Sequence, residues 1–297
     1  MRVFVTGATG FIGEATVHQL ITAGHTVLGL ARNDAAADTL KAFGADVHRG
    51  DLSDPASLAA GARASDGVIH LAYVHDFSAM AAAAETDRRA ITAMIDALEG
   101  SGKPFVSTSG TALVAGNRIA TENDTPHDGG TAHPRAASEA LVIDAAARGV
   151  RTSVVRLSPT VHGAGDHGFV PALIGIARRT GVAAYVGDGA NRWPAVHRFD
   201  AAALFRLALE RAAAGSRLHG VAEEGVPMRS IAETIGAGLG VPARSLTPDE
   251  AAAHFDWIAR FVALDNHASS AITRETLGWQ PEHPALLTDL RETDYFA

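Results

Sequence analysis

The amino-acid sequence predicts an α/β protein in which a doubly wound parallel sheet is joined to a smaller C-terminal α/β lobe. Short apolar runs alternate with amphipathic stretches through the first 160 residues, and the first run ends in a glycine-rich turn. Such alternation is typical of parallel strands joined by right-handed helical crossovers. It loosens afterwards, so we expect one domain over residues 1–160 and a smaller substrate-binding lobe, partly interleaved with it, over residues 161–297.

The first thirteen residues predict the turn on which the first domain is built. An apolar run at residues 3–5 is followed by three glycines at fixed spacing and then by an amphipathic helix pattern. One glycine allows the tight turn, one lets the backbone approach a diphosphate, and one lets helix and strand pack closely. The helix directs its free N–H groups at the phosphates. The predicted dinucleotide-binding residues of this turn are Gly7, Thr9, Gly10, Phe11, Ile12 and Gly13.

The other elements follow in order along the chain. Further strands of the first domain are predicted at residues 26–30, 46–48, 67–71, 104–107 and 152–156. Helices are predicted after the glycine turn, at residues 34–43, from Asp54 as N-cap with Pro55 at the first helical position, and at residues 78–98 and 134–148. The second part is predicted to contain helices at residues 169–180, 200–213, 228–239, 248–254, 268–277 and 284–293, and a strand at residues 218–221.

Composition excludes several classes of function. Asp and Glu outnumber Lys and Arg by 33 to 25, and the basic residues form no dense block, so we expect no binding to nucleic acid or to anionic membranes. The absence of cysteine excludes disulfides and thiolate catalysis. The sequence contains neither a signal-peptide pattern nor an apolar run of about 18 residues. We therefore expect a cytoplasmic protein.

Several motifs together resemble extended and atypical members of the short-chain dehydrogenase/reductase family, which are epimerase- and dehydratase-like proteins with a Rossmann fold. The matching stretches are TGATGFIG at residues 6–13, Asp51-Leu52, His70-Leu71-Ala72, Ser107-Thr108-Ser109, RLSPTVHG at residues 156–163, and AVHRFD at residues 195–200. The resemblance implies a nicotinamide cofactor. It also implies that the cofactor is contacted by Asp51, Leu52, Leu71, Ala72, Tyr73, Thr108 and Pro159.

The end of the second strand indicates NADP(H) as the cofactor. In this fold an acidic residue at that point binds the ribose 2′-hydroxyl of NAD, whereas an arginine accommodates the 2′-phosphate of NADP. The sequence has Ala31 at the acidic position and Arg32 next to it. A guanidinium is planar and permanently charged, which suits a phosphate. The alternative is that Arg32 is an ordinary solvated surface residue.

The resemblance fails at the family's catalytic dyad, a Tyr-x-x-x-Lys pair on the helix after the fifth strand. The stretch at that position has Arg135 in place of the tyrosine and Glu139 in place of the lysine. No tyrosine of the chain is followed by a lysine four residues later. The standard mechanism is therefore not expected, and the resemblance is to the atypical branch.

Other residues are then candidates for the chemistry. Ser109 stands at the family's serine position and could hydrogen-bond a carbonyl or imine, or only end its strand. Tyr73 follows the fourth strand and is expected beside the nicotinamide half of the site. There it could donate a proton or only form part of the pocket wall. His133 precedes the helix that usually carries the tyrosine, and an imidazole titrates in the useful pH range. Glu139 could bind the ribose hydroxyls or be a solvated surface residue.

No metal site is expected, because the sequence lacks HExxH and close His/Asp clusters at ligand spacing. Aromatic residues of the second part suit a partly apolar small-molecule substrate or an ordinary core. They are Phe169, Trp193, His197, Phe255, Trp257 and Phe261. Relatives often form homodimers through the helices that match residues 78–98 and 134–148. Those helices could also pack only within the chain.

Three functions are compatible with these observations. The first is an NADPH-dependent reductase of a small carbonyl, imine or activated alkene with a non-standard proton donor. The second is an NADP(H)-binding sensor or regulatory protein without catalysis. The third is a non-redox isomerase or lyase that uses bound cofactor.

Overall fold

The computed structural model of the protein describes residues 1–75, 79–126 and 134–297. The strands are β1 (Arg2–Thr6), β2 (Thr26–Ala31), β3 (Asp46–Arg49), β4 (Gly67–His70), β5 (Pro104–Gly110), β6 (Arg151–Leu157), β7 (Thr160–His162), β8 (Ala183–Val186), β9 (Arg192–His197), β10 (Ser216–Gly220), β11 (Glu223–Pro227) and β12 (Ala243–Leu246). The α-helices are α1 (Phe11–Thr22), α2 (Asp34–Ala42), α3 (Pro55–Arg63), α4 (Met80–Leu98), α5 (Pro134–Asp144), α6 (Phe169–Thr180), α7 (Arg198–Arg211), α8 (Met228–Leu239), α9 (Pro248–Phe255), α10 (Ala259–Val262), α11 (Ala271–Leu277) and α12 (Leu286–Glu292).

A seven-stranded sheet forms the centre of the molecule, in the order β10-β6-β5-β4-β1-β2-β3. All its strand pairs are parallel. The order reverses between β1 and β4, which is where open sheets of this kind form a ligand crevice at the carboxyl ends of the strands. The predicted doubly wound parallel sheet is confirmed.

Apolar side chains cover both faces of this sheet. One buried cluster contains residues of β1, α1, α2 and α7, among them Val5, Leu20 and Phe205. The other contains residues of α3, α4 and α5 and includes Phe4 and Met94. The helices thus lie on both faces, and the crevice remains at the edge where the strands end.

The second part of the chain builds two small sheets, with strand orders β11-β9-β7 and β12-β8. Its buried cluster includes Leu173, Trp193, Ile231 and Phe255. Across the described ranges 1–75, 79–126 and 134–297, no helix is both long and apolar enough to cross a membrane.

The chain returns from the smaller lobe to the central sheet at α7 and β10. Strand β10 pairs with β6 and completes the central sheet, with Ser216 opposite Ser153. Helix α7 packs on that sheet through Leu204 and Phe205, in the same cluster as β1 and α1. Residues 198–220 therefore belong to the central domain, although they follow residues of the smaller lobe.

Candidate active site

The glycine turn has the shape that a dinucleotide needs. Gly7 has a positive φ of 68°, and a Cβ atom there would lie 2.8 Å from the amide nitrogen of Ala72. A Cβ atom at Gly13 would lie 1.9 Å from the carbonyl oxygen of Gly7, so α1 can pack on the turn only with glycine there. The N-cap of α1, Gly10, has no side-chain cap that would occupy the first N–H groups. These groups fit a diphosphate.

The predicted adenine side of the crevice is formed by residues that follow β2 and β3. The Ala31 side chain is buried and Arg32 is exposed. The carboxylate of Asp51 accepts hydrogen bonds from the backbone and side chain of Ser53, at 2.8 and 2.6 Å. These bonds, and to a smaller extent the charge of Arg32, lower the pKa of Asp51. An ionised Asp51 and the Arg32 cation are therefore neighbours at this end of the crevice.

A buried chain of hydrogen bonds fixes the exit of β4. Burial favours a higher pKa for Asp87, but the hydrogen bond and charge of His70 outweigh it, so the pKa lies below its usual 3.8. The ionised carboxylate accepts from Nε2 of His70 at 3.1 Å. Nδ1 of His70 is hydrogen-bonded to the Thr6 hydroxyl at 2.7 Å, and the oxygen of that hydroxyl accepts from the Ala72 amide at 3.2 Å. This chain holds the backbone that leads to Tyr73.

Tyr73 lies beneath Arg135, the residue that replaces the family's tyrosine. The guanidinium carbon of Arg135 is 4.0 Å from the centre of the Tyr73 ring, within cation–π range. Arg135 also donates to the carbonyl oxygen of Thr108 at 3.1 Å, which holds it at the end of β5. Burial raises the pKa of Tyr73, and the charge of Arg135 opposes this. At neutral pH the phenol is protonated and can donate.

Ser109 and Glu139 lie in a buried network of hydrogen bonds. Glu139 accepts from the Ser109 hydroxyl at 2.9 Å and from Arg156 at 2.5 Å, and Arg217 lies 3.3 Å away. Burial favours a raised pKa for Glu139, but the bonds and charge of Arg156 lower it. The Ser109 hydroxyl thus donates to the carboxylate of Glu139, and its hydrogen bond to a substrate carbonyl stays a prediction. Glu139 is held by protein donors and is 3% exposed, so it is not a solvated surface residue.

Histidines of the second part of the chain contact acidic side chains and one another. Nδ1 of His162 lies 2.7 Å from Asp289, and His197 stacks on His283 with ring centres 4.8 Å apart. Burial, together with the charges of His162 and His283, lowers the pKa of His197 to about 4. Within the described residues, no group of three or more His, Cys, Asp or Glu side chains is arranged to hold a metal ion.

The remaining predicted residues divide by position. Thr9 is exposed beside the turn, and Phe11, Ile12, Leu52, Leu71, Thr108 and Pro159 are half-buried along the crevice. Cofactor contacts by these residues stay predictions. His133 lies outside the described residues.

The sequence did not predict a further arginine near the glycine turn, Arg198. Arg198, on α7, lies 5.1 Å from the centre of the Phe11 ring, on the first turn of α1. It donates to the carbonyl oxygen of Ala164 at 3.1 Å and lies 3.6 Å from Glu14. The position of Arg198 in AVHRFD carried no sign of this contact, because the pairing depends on how α7 packs against α1.

Comparison with known proteins gives a consistent result. The profile of the NAD dependent epimerase/dehydratase family matches residues 3–220. The chain is 48% identical to the uncharacterized protein C2A9.02 of Schizosaccharomyces pombe, over 100% of both chains. It is 30% identical to a 2-alkyl-3-oxoalkanoate reductase of Stenotrophomonas maltophilia, over 82% of this chain and 77% of that protein. The structure of DesIV, a dTDP-glucose 4,6-dehydratase of Streptomyces venezuelae with NAD bound, superposes with a TM-score of 0.77 at 22% identity, over 98% and 96% of the two chains. This last likeness concerns the fold alone.

Proposed function

Because the chain belongs to the NAD dependent epimerase/dehydratase family, and so to the NAD(P)-dependent oxidoreductases of the short-chain dehydrogenase/reductase superfamily, we propose that it is an NADPH-dependent reductase of a small carbonyl compound. Imines and activated alkenes are related acceptors for the same chemistry. The observation that carries the proposal is the Tyr73–Arg135 pair at the crevice. It puts a phenol next to a fixed cation where the usual dyad is absent. The ketone-reducing activity named for the Stenotrophomonas relative is consistent with a carbonyl acceptor.

Tyr73, Arg135 and the Thr6–His70–Asp87 chain have separate roles in the proposed reduction. Bound NADPH would supply the hydride to the carbonyl carbon. Tyr73 donates its phenolic proton to the carbonyl oxygen, which becomes the hydroxyl of the product alcohol. Arg135 stabilises the phenolate that remains, since a cation over the ring face favours the charged form. The Thr6–His70–Asp87 chain holds the backbone before Tyr73 so that the phenol keeps its place.

Replacing Tyr73 by phenylalanine tests the proton donor. We expect the rate of carbonyl reduction to fall about 100-fold, the lower end of what a general acid contributes. NADPH affinity should stay within about twofold, since the ring is retained. Tyr185→Phe is a matched control, because Tyr185 also lies under an arginine, Arg229, at 5.8 Å, but in the second lobe. Full activity of Tyr73→Phe would remove Tyr73 from the mechanism.

Replacing Arg135 by methionine tests its role, because the variant's rates of reduction and of oxidation can be compared. Reduction needs the phenol and alcohol oxidation needs the phenolate, so Arg135→Met should slow oxidation more than reduction. The rise of the oxidation rate with pH should also move to higher pH, because the opposing effect of Arg135 on the pKa of Tyr73 is lost. Equal losses in both directions, with no shift of the pH profile, would mean that Arg135 only shapes the pocket.

We propose NADPH rather than NADH because Arg32 is exposed beside the buried Ala31 at the end of β2. Arg32→Ala should raise the Kd for NADPH about 10- to 100-fold, as expected for the loss of a hydrogen bond to a charged group. The Kd for NADH should stay within about twofold. Fluorescence titration measures both values. Arg63→Ala, which removes another exposed arginine, in the last turn of α3, is the charge-matched control. Tighter binding of NADH than of NADPH by the wild type would contradict the proposal.

The sensor function has one observation in its favour, the internal pairing of Ser109 and Glu139 at the family's catalytic positions. It predicts tight NADPH binding without turnover on any carbonyl, imine or activated alkene. A reductase predicts oxidation of NADPH with at least one of these acceptors. A single acceptor panel, followed by the loss of NADPH absorbance, separates the two.

A further inference from the structure

The loop between β7 and α6, residues 163–168, lies against the glycine turn and is here called the strap. The ring of His167 packs edge-on against the ring of Phe11, with ring centres 5.8 Å apart. Phe11 is the first residue of α1 and follows Gly10, the N-cap of that helix. The first N–H groups of α1 are those that fit a diphosphate. A dinucleotide bound to the turn therefore has the strap as a neighbour.

Tyr295, which follows α12, holds the strap from the second lobe. Its phenol oxygen accepts from the Gly163 amide at 3.1 Å, and its hydroxyl donates to Oδ2 of Asp166 at 3.0 Å. The other carboxylate oxygen of Asp166 accepts from the Gly168 amide at 2.7 Å. Burial raises the pKa of Tyr295, so the phenol keeps its proton and can donate. One phenol is thus linked to both ends of the strap, to Gly163 directly and to Gly168 through Asp166.

Arg198 holds the strap from the side of the glycine turn. It donates to the carbonyl oxygen of Ala164 at 3.1 Å, and its guanidinium carbon lies 5.1 Å from the centre of the Phe11 ring. The strap is therefore tied to the same ring that His167 contacts. Since all these contacts lie within the protein, they hold the strap against the turn with or without a dinucleotide.

The strap has glycine at two positions where its backbone can change direction. Gly163 has a φ of 133° and Gly165 a φ of 84°, a region that other residues rarely adopt. A Cβ atom at Gly163 would also lie 2.9 Å from Nε2 of His197. Hinges of moving loops are a few such positions that absorb a large change of φ and ψ. The strap can therefore swing without disturbing β7 or α6.

We propose that the strap controls the exchange of the nicotinamide dinucleotide, and that the Tyr295 hydroxyl sets how often the strap opens. The proposal requires a dinucleotide at the glycine turn and goes beyond the proposed reductase chemistry, on which it does not depend. A dinucleotide enters or leaves only when the strap has moved away from Phe11. Weakening the internal contacts raises the open fraction in the free and the bound protein alike. Association and dissociation then become faster together, and the Kd stays nearly constant.

Replacing Tyr295 by phenylalanine tests the proposal, because the ring is kept and both hydrogen bonds of the hydroxyl are lost. We expect the association and dissociation rate constants of NADPH each to rise about tenfold, with the Kd within about twofold. Stopped-flow fluorescence measures association, and displacement by excess NADP⁺ measures dissociation. NADH with NAD⁺ is run in parallel, since both dinucleotides carry the same diphosphate. Tyr185→Phe, which removes a phenolic hydroxyl on β8, is the matched control and should change neither rate.

A second variant tests whether Tyr295 acts through Asp166. Asp166→Asn leaves one acceptor oxygen for the two donors, Tyr295 and the Gly168 amide, so it should also speed exchange in both directions. The double variant Tyr295→Phe/Asp166→Asn should exchange more slowly than the product of the two single effects predicts, because both substitutions remove the same hydrogen bond. Multiplicative effects would contradict the link between Tyr295 and Asp166.

The outcomes separate this inference from the proposed function. A faster dissociation with unchanged association, and hence a weaker Kd, would mean that Tyr295 stabilises the bound state, and would overturn the control of exchange by the strap. Unchanged rates in Tyr295→Phe would overturn it too, as would a failure of both dinucleotides to bind. No acceptor is present in these measurements, so a lack of turnover on ketones would contradict only the reductase.

Discussion

Replacing Gly13 by alanine is expected to abolish measurable NADPH binding and to destabilise the fold. The added Cβ atom would lie 1.9 Å from the carbonyl oxygen of Gly7 and 2.8 Å from its carbonyl carbon, and both are backbone atoms that cannot rotate away. Helix α1 must then move off the turn, and its N–H groups no longer converge on the diphosphate. We expect the Kd for NADPH to rise about 100-fold or more, which corresponds to ~2.7 kcal/mol. Overpacking should lower the free energy of unfolding by about 1–3 kcal/mol.

Gly175→Ala is the matched control for this variant. Gly175 also lies inside a helix, α6, but a Cβ atom there would meet only the end of the Arg179 side chain at 3.7 Å. By helix propensity alone each substitution should stabilise its helix by about 1 kcal/mol. The two variants should therefore change stability in opposite directions, as measured by urea unfolding. Equal stabilisation of both would mean that the contact between α1 and the turn is looser than described.

Replacing Arg156 by methionine is expected to have the second large effect, this time on stability. Arg156 and Glu139 form an ion pair in which both side chains are almost fully buried, at 0% and 1% exposure. Removing one partner leaves a buried charge without its main counter-charge, which typically costs ~3–5 kcal/mol. The double variant Arg156→Met/Glu139→Leu should be less destabilised than Arg156→Met alone, because no lone carboxylate then remains.

The pH dependence gives an independent check on Arg156→Met. In the wild type the pKa of Glu139 is lowered from 4.5, so its contribution to stability is present above pH 4.5 and is lost as the pH falls through the lowered value. Without Arg156, burial dominates and the folded-state pKa rises above 4.5. The variant should then become more stable relative to the wild type as the pH falls from neutrality towards 4.5. A constant difference in unfolding free energy across this range would contradict the proposed ion-pair energetics.

Local pattern alone predicted much of the fold. The helices over residues 169–180 and 228–239 have the predicted bounds, because an amphipathic repeat and a glycine just beyond the last turn determine them. The N-cap at Asp54 is also confirmed, since its carboxylate accepts from two N–H groups of the first turn. Predictions of this kind depend on residues that are neighbours in sequence.

The side-chain pairings of the candidate site depend on tertiary packing and were not predictable. Glu139 looked equally suited to ribose or to solvent, because its partners Arg156 and Arg217 come from β6 and β10. The Arg135–Tyr73 contact likewise joins α5 to the third residue after β4. From the sequence, Arg135 indicated only that the family's catalytic tyrosine is absent. The structure adds the position of its charge.

Strand β10 is synthesised long after β6, its neighbour in the central sheet, and this affects folding during translation. Until residue 220 has left the ribosome, β6 stands at the edge of the central sheet with its neighbouring strand still missing. At a synthesis rate of ~5–20 residues per second, that hydrogen-bonding edge stays open for several seconds after β6 emerges. An open edge of this kind can pair with another nascent chain. Chaperone demand and aggregation during expression should therefore depend on the segment between β6 and β10, which contributes most of its residues to the smaller lobe.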